Sequence, residues 1–232
     1  WAITRDKFGA MWFGGDDGIV IRYDGSKWTR IPFGEKNQAV IRAGGSDEDG
    51  IVYGGGALEF GYIEPDASGI RTYRSMTDRF PSAMEITKSF AADTSKIDDT
   101  PPSERPIGEI NSLVIRDSKV YFMGRGTLII YNTLIDSLYY VNLRKLGFWQ
   151  SERIYRIKDK VIIANNIRGL FELRENSITQ LPGGDFFGYK MCLAMLPYDD
   201  NRVIVGTLSN GVFLYDFSSG VVDGNFIDQG FS

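Results

Sequence analysis

Five times in this chain a short apolar strand runs into a small residue, crosses a tight polar turn and leaves through a second apolar strand. The copies run from Met11 to Asp24, Ile51 to Tyr62, Val120 to Tyr131, Val161 to Leu173 and Val203 to Asp216. The small or compact residue ending the first strand of each pair falls at Gly14, Gly54, Met123, Ala164 and Gly206, with separations of 40, 69, 41 and 42. Recurrence at a fixed period constrains a fold more than any single residue, because each unit must bury itself against its neighbours.

A strand-rich repeat of about 40 residues is the signature of β-propeller blades. Ahead of each pair lies a further strand: Trp1 to Thr4, Ala39 to Ala43, Ile110 to Arg116, Arg153 to Ile157 and Met191 to Leu196. A fourth follows, as in Lys27 to Ile31, Ile70 to Tyr73, Leu138 to Val141 and Ser177 to Leu181. The turns between them carry Asp, Asn and Gly, which tolerate the backbone that tight reversals need. The inner strands are apolar almost throughout while the outer ones alternate, as wedges stacked face to face require. The expected fold is therefore all-β: a propeller with five visible four-stranded blades, near 1–38, 39–73, 108–148, 149–186 and 187–232. The long separation is assigned to an inserted loop, 74–107, rich in Pro and Asp. Helical periodicity is nearly absent, Leu143 to Gln150 being long enough for one turn.

The chain has 232 residues, 43% of them hydrophobic, which is ample for a core. Its net charge is −4, and no basic stretch suits a phosphate backbone, so nucleic acid is not an expected partner. The single Cys192 lies in an apolar run and reads as a buried thiol, and no internal disulfide can form. No apolar run approaches the roughly 20 residues that span a bilayer. The chain opens on Trp1, and we expect it to be a piece of a longer protein.

Histidine is absent altogether, which removes the usual general base, the commonest metal ligand and every Ser-His or Cys-His arrangement. Asp47-Glu48-Asp49-Gly50 lacks the spacing of a calcium loop, and Gly54-Gly55-Gly56 precedes a strand where a phosphate site needs a helix. The glycines read as room for close packing between blades. No cofactor or metal is expected. A paired-carboxylate glycosidase needs only two acids across a sugar ring, but most acids here fall in recurrent turns.

The first unit, from Trp1 through Gly14 and on through Gly18-Ile19-Val20 to Tyr23-Asp24-Gly25, resembles the two-component regulator propeller repeat. Ile204 to Thr207 with Asn210 to Tyr215 fits as well, and Glu59 to Asp66 and Leu181 to Gly184 are similar to segments of bacterial ligand-sensing propellers of this kind. The resemblance implies a periplasmic sensor region of an inner-membrane receptor, often glycan-responsive, and commonly seven blades, so that the five here would be part of a larger ring. It implies as partners a small molecule or oligosaccharide, the other domains of the parent receptor and a second copy in a homodimer.

In a propeller the turns joining second to third strands gather on one face with the loops that lead into each new blade. Here those turns offer Asp16, Asp17, Arg125, Asn165, Asn166, Arg168, Ser209 and Asn210, a polar set suited to a polar ligand. The competing reading is that tight turns select Asp, Asn, Ser and Gly for their backbone alone. Turn geometry has no special need of Arg, so Arg125 and Arg168 could clamp a carboxylate or sulfate. Trp149 and Tyr189, beside the blade-to-blade loops, are the aromatic candidates for stacking on a sugar. Trp12, Phe13, Tyr53, Tyr121 and Phe122 lie in second strands and are assigned to the core.

Overall fold

The structure, a computed structural model, describes residues 2–34, 40–89, 91–92, 108–148 and 152–224. Of the sequence expectations, those on Trp1, Ala39, Trp149, Gln150 and residues 90 and 93–107 of the insertion lie outside the described residues. The strands are β1 Ala2–Arg5, β2 Met11–Gly14, β3 Ile19–Tyr23, β4 Trp28–Pro32, β5 Ile41–Ser46, β6 Val52–Gly56, β7 Glu59–Pro65 and β8 Arg71–Ser75. Then come β9 Met84–Glu85, β10 Ala91–Ala92, β11 Ile110–Arg116, β12 Lys119–Gly124, β13 Thr127–Asn132, β14 Ser137–Asn142, β15 Arg153–Ile157 and β16 Lys160–Asn165. The chain continues through β17 Gly169–Arg174, β18 Ser177–Gln180, β19 Cys192–Pro197, β20 Arg202–Thr207, β21 Val212–Asp216 and β22 Val222–Asp223. Among the described residues these make five antiparallel meanders of four strands, β1–β4, β5–β8, β11–β14, β15–β18 and β19–β22. The only helices among them are short 3-10 turns, one at Leu143–Leu146 where the sequence has room for it.

The insertion is more than a loop. Its start packs Phe80 into the core beside Phe60, and two short strands follow. β9 pairs parallel with β14, and β10 pairs parallel with β18, so each adds a fifth strand to the outer edge of a meander. Covering an edge strand removes the unpaired N–H and C=O row that invites aggregation.

The chain divides into two compact units, Trp1–Ile86 with Pro102–Val141, and Thr87–Pro101 with Asn142–Ser232. The first contains three meanders and the second two. In unit 1 the period-two pattern splits the β5–β8 sheet between two neighbours. Val52 and Ile63 pack with Trp12, Val20, Ile31 and Ile41, while Tyr53 and Phe60 on the opposite face pack with Ile110, Phe122 and Ile129. Sheets come this close because glycine stands where a side chain would collide: a Cβ on Gly54 would lie 2.7 Å from the Phe33 ring, and one on Gly45 2.6 Å from Leu113. Gly55 likewise admits Ile110. The triple glycine therefore serves packing.

Unit 2 stacks its two meanders through Ile162, Ala164 and Leu170 against Met195, Val205, Phe213 and Tyr215. Two tyrosines tie them at the edges of this core. The Tyr155 hydroxyl donates to the Cys192 carbonyl at 2.9 Å, and the Tyr215 hydroxyl to the Pro182 carbonyl at 2.6 Å. Burial of the Cys192 thiol pushes its pKa up to about 12, so it is an inert core group.

Candidate functional site

In every meander the first-to-second and third-to-fourth turns lie at one end, and the second-to-third turns at the other. The first group is locked by aspartates. Asp6 accepts from the Phe8 and Ala10 amides at 3.0 and 2.9 Å and, through its second oxygen, from the Trp12 indole at 2.9 Å. Asp47 repeats the pattern on Asp49, Ile51 and the Tyr53 hydroxyl. Asp24, Asp66, Asp199 and Asp216 each accept two backbone amides of their own turn, and hydrogen bonding holds all four carboxyls below the usual range. These acids are explained by the turns they close, one carboxylate oxygen of each being taken up by its own turn amides.

The second-to-third turns are built differently. In unit 1, Asp16 and Asp17 are exposed on the β2–β3 turn, with Asp17 3.2 Å from Arg30, and Arg125 is exposed on the β12–β13 turn. In unit 2, Asn165 ends β16 with its side chain buried: its Nδ2 donates to Glu152 at 3.1 Å, and its Oδ1 accepts from the Ile167 and Arg168 amides at 3.0 and 2.7 Å. Its polar atoms are spent on shaping the turn. Arg168 is half-buried, with its guanidinium 5.1 Å from the centroids of both Phe148 and Phe171, so the rings hold the cation where a clamp would have to swing free. Ser209 and Asn210 are exposed at the tip of the β20–β21 turn.

The structure joins three of these segments. The Tyr189 amide donates to the Asn166 carbonyl at 2.7 Å, and the Leu208 amide to the Met191 carbonyl at 2.9 Å. The loop from β18 to β19 is thereby fastened between the Asn166 turn and the Ser209 turn. The approach is backbone to backbone: a Cβ on Gly188 would sit 2.7 Å from the Ile167 carbonyl, and one on Gly184 2.6 Å from that of Leu170. On this support Tyr189 takes a left-handed backbone at φ 59° and leaves its side chain 82% exposed. A bulky residue in that region costs about 1–3 kcal/mol, a strain that persists where the surroundings enforce it.

Around Tyr189 lie further exposed groups that the sequence does not single out: Ile167, Phe186 and Leu208, with Lys190 donating to the Phe186 carbonyl at 2.6 Å and lying 4.2 Å over its ring. Their apolar character reads as core in the sequence, and only the loop's fastening turns them outward. Exposed aromatic and apolar side chains thus share these joined segments with the polar Asn166, Ser209 and Asn210. Such a surface can hold a ligand with one apolar and one polar face. The apolar gap between the first two sheets of unit 1, walled by Ala2, Gly14, Ala43, Gly44 and Gly54, offers no comparable polar edge.

Four-stranded antiparallel wedges repeated in this order define a β-propeller, of which five blades are visible. Solved structures agree on that fold. The chain is similar to the extracellular domain of BT4673 from B. thetaiotaomicron, assigned in one structure to the hybrid two-component systems and in another to the one-component systems. In the first of these the TM-score is 0.64 at 16% identity, with 96% of this chain and 27% of that one covered. Virginiamycin B lyase from Staphylococcus aureus, with quinupristin, matches at a TM-score of 0.64 and 13% identity, over 96% of this chain and 68% of that one. The WD40 propeller domain of Doa1 matches at 0.60 and 13%, over 95% and 66%. The chain thus spans about a quarter of the BT4673 domain. No protein-family model and no curated protein matches it. Among the described residues no helix is long and apolar enough to cross a membrane.

Proposed function

We propose that this chain is a non-enzymatic, extracytoplasmic ligand-sensing propeller of a bacterial two-component-type receptor. On this reading the surface around Tyr189 in unit 2 receives the ligand, an oligosaccharide. The observation that carries it is a tyrosine held in a strained left-handed backbone with its ring almost wholly in solvent, fixed between two polar turns. A flat ring can cover the apolar face of a pyranose, and on this reading Asn166, Ser209 and Asn210 meet its hydroxyls. Likeness of fold to the BT4673 extracellular domain supports the sensor reading. The lyase supplies the contrary example of an enzyme on this fold. Its variant with a histidine replaced by alanine is described as catalytically inactive, and this chain has no histidine.

Calorimetric titration with a panel of neutral and acidic oligosaccharides tests the proposal. Tyr189→Ala should weaken the best binder about tenfold or more, equivalent to about 1.4 kcal/mol, with the melting temperature unchanged. Equal affinity in the variant would refute it. The exposed Phe186, Ile167 and Leu208 also favour a second reading, a protein-contact platform that brings receptor copies together. Loss of dimerisation in Tyr189→Ala with sugar binding intact would select that reading. Replacing Arg168 is a poor discriminator, because its guanidinium packs on two core rings.

A further inference from the structure

Unit 1 holds a second arrangement, at the opposite end of its sheets from the second-to-third turns. Trp12 is buried, 2% exposed, and its indole N–H is fixed by Asp6. Two guanidinium groups lie against this one indole: Arg22 of β3 at 5.7 Å from the ring centroid, and Arg71, the first residue of β8, at 5.5 Å. Each turns inward an N–H group that is buried and has no hydrogen-bond partner among the described residues, Nε of Arg22 and Nη1 of Arg71.

Asp24 and Asp6 balance the two cations in formal charge, but neither offers an acceptor to the inward N–H groups. Arg22 is paired on its outer side with Asp24 at 2.9 Å. Among the described residues Arg71 forms no ion pair, and the acid that its charge feels is Asp6, whose oxygens already accept from two amides and the indole. Burial and then the like charge of Arg22 lower the Arg71 pKa, and the negative charge of Asp6 offsets them only in part. A buried cationic donor left unpaired costs more than a neutral one. Packing alone does not ask for this, since Leu or Met would cover the same indole face without charge.

We propose that Arg22 and Arg71, converging on Trp12, form a binding site for an oxoanion group. Guanidinium N–H pairs match the oxygens of sulfate, phosphate and carboxylate, and the indole supplies a fixed apolar floor. The anion supplies the acceptor oxygens that the two guanidinium groups lack. Two sources carry this chemistry, a free inorganic anion and an acidic substituent on a sugar.

The test is a titration of 15N-labelled protein at constant ionic strength, reading the Trp12 indole N–H resonance, assigned by its loss in Trp12→Phe. Sulfate and phosphate should shift it saturably with a Kd of about 1–10 mM, and chloride should not. Arg71→Met keeps apolar cover on the ring and should weaken the effect at least tenfold. Saturation by glucuronate alone supports the site and assigns it to a carboxylate-bearing sugar. An unmoved resonance with all three anions overturns the proposal, as does an equal response in Arg71→Met. The wild-type titration decides the matter on its own if the variant does not fold.

Discussion

The two ends of the blades use the same residue types to opposite purposes. At the far end, Asp6, Asp24, Asp47, Asp66, Asp199 and Asp216 turn inward on their own hairpins, and each carboxyl is satisfied within a few residues of itself. At the near end of unit 2, polar atoms of Ser209 and Asn210 face outward, and a tyrosine is held against its backbone preference to stand clear of the surface. Hairpins that satisfy themselves are scaffold. A segment that stores strain to expose an aromatic ring is where binding energy can be collected, since the strain is offset by neighbouring structure in advance.

Four substitutions break or sharpen this contrast. Asp6→Ala should have the largest effect, because it strands two amides and a buried indole N–H. We expect a loss of about 3 kcal/mol in urea unfolding, with ligand affinity unchanged in the folded fraction. Gly188→Ala should come next, at about 1–3 kcal/mol, because the new methyl would meet the Ile167 carbonyl. Here affinity should fall too, since the loop that carries Tyr189 must move.

Asp216→Asn should be nearly silent at neutral pH and visible only in acid. The Ser218 hydroxyl and the Ser219 amide lower the Asp216 pKa from 3.8 to about 2. Its stabilising contribution is therefore fully present above pH 3.8 and is lost as the pH falls through about 2. Asn retains the turn-forming oxygen without the titration, so the urea midpoint of the variant should decline less steeply over that range. Tyr189→Gly should have the smallest effect on stability, neutral or a gain of up to about 1 kcal/mol, because glycine accepts the left-handed backbone freely. Binding by the panel's best oligosaccharide should nevertheless be lost.

Much of this fold is legible in the sequence, for an identifiable reason. β12, β13, β16 and β17 bury both faces, so their near-continuous apolar runs stand out, and the hairpin aspartates mark where they stop. β22 escapes notice because Val222 and Asp223 are too few to show a period. β9 and β10 escape for a further reason: a two-residue strand pairing parallel with a remote edge leaves no local pattern. The site is less legible. Gly188 invites the positive φ in its loop, yet Gly188 is extended and Tyr189 takes it, a choice set by the hydrogen bond to the Asn166 carbonyl. Asn165 and Arg168 look like free turn residues until Glu152, Phe148 and Phe171 are brought against them.

The most direct measurement is backbone amide mapping by NMR as the oligosaccharide panel is added in pools. Shifts confined to Asn166, the loop around Tyr189 and Leu208 to Asn210 are what a near-end binding surface produces. Shifts centred on the Asp47, Asp199 or Asp216 hairpins, or none with any pool, would contradict it.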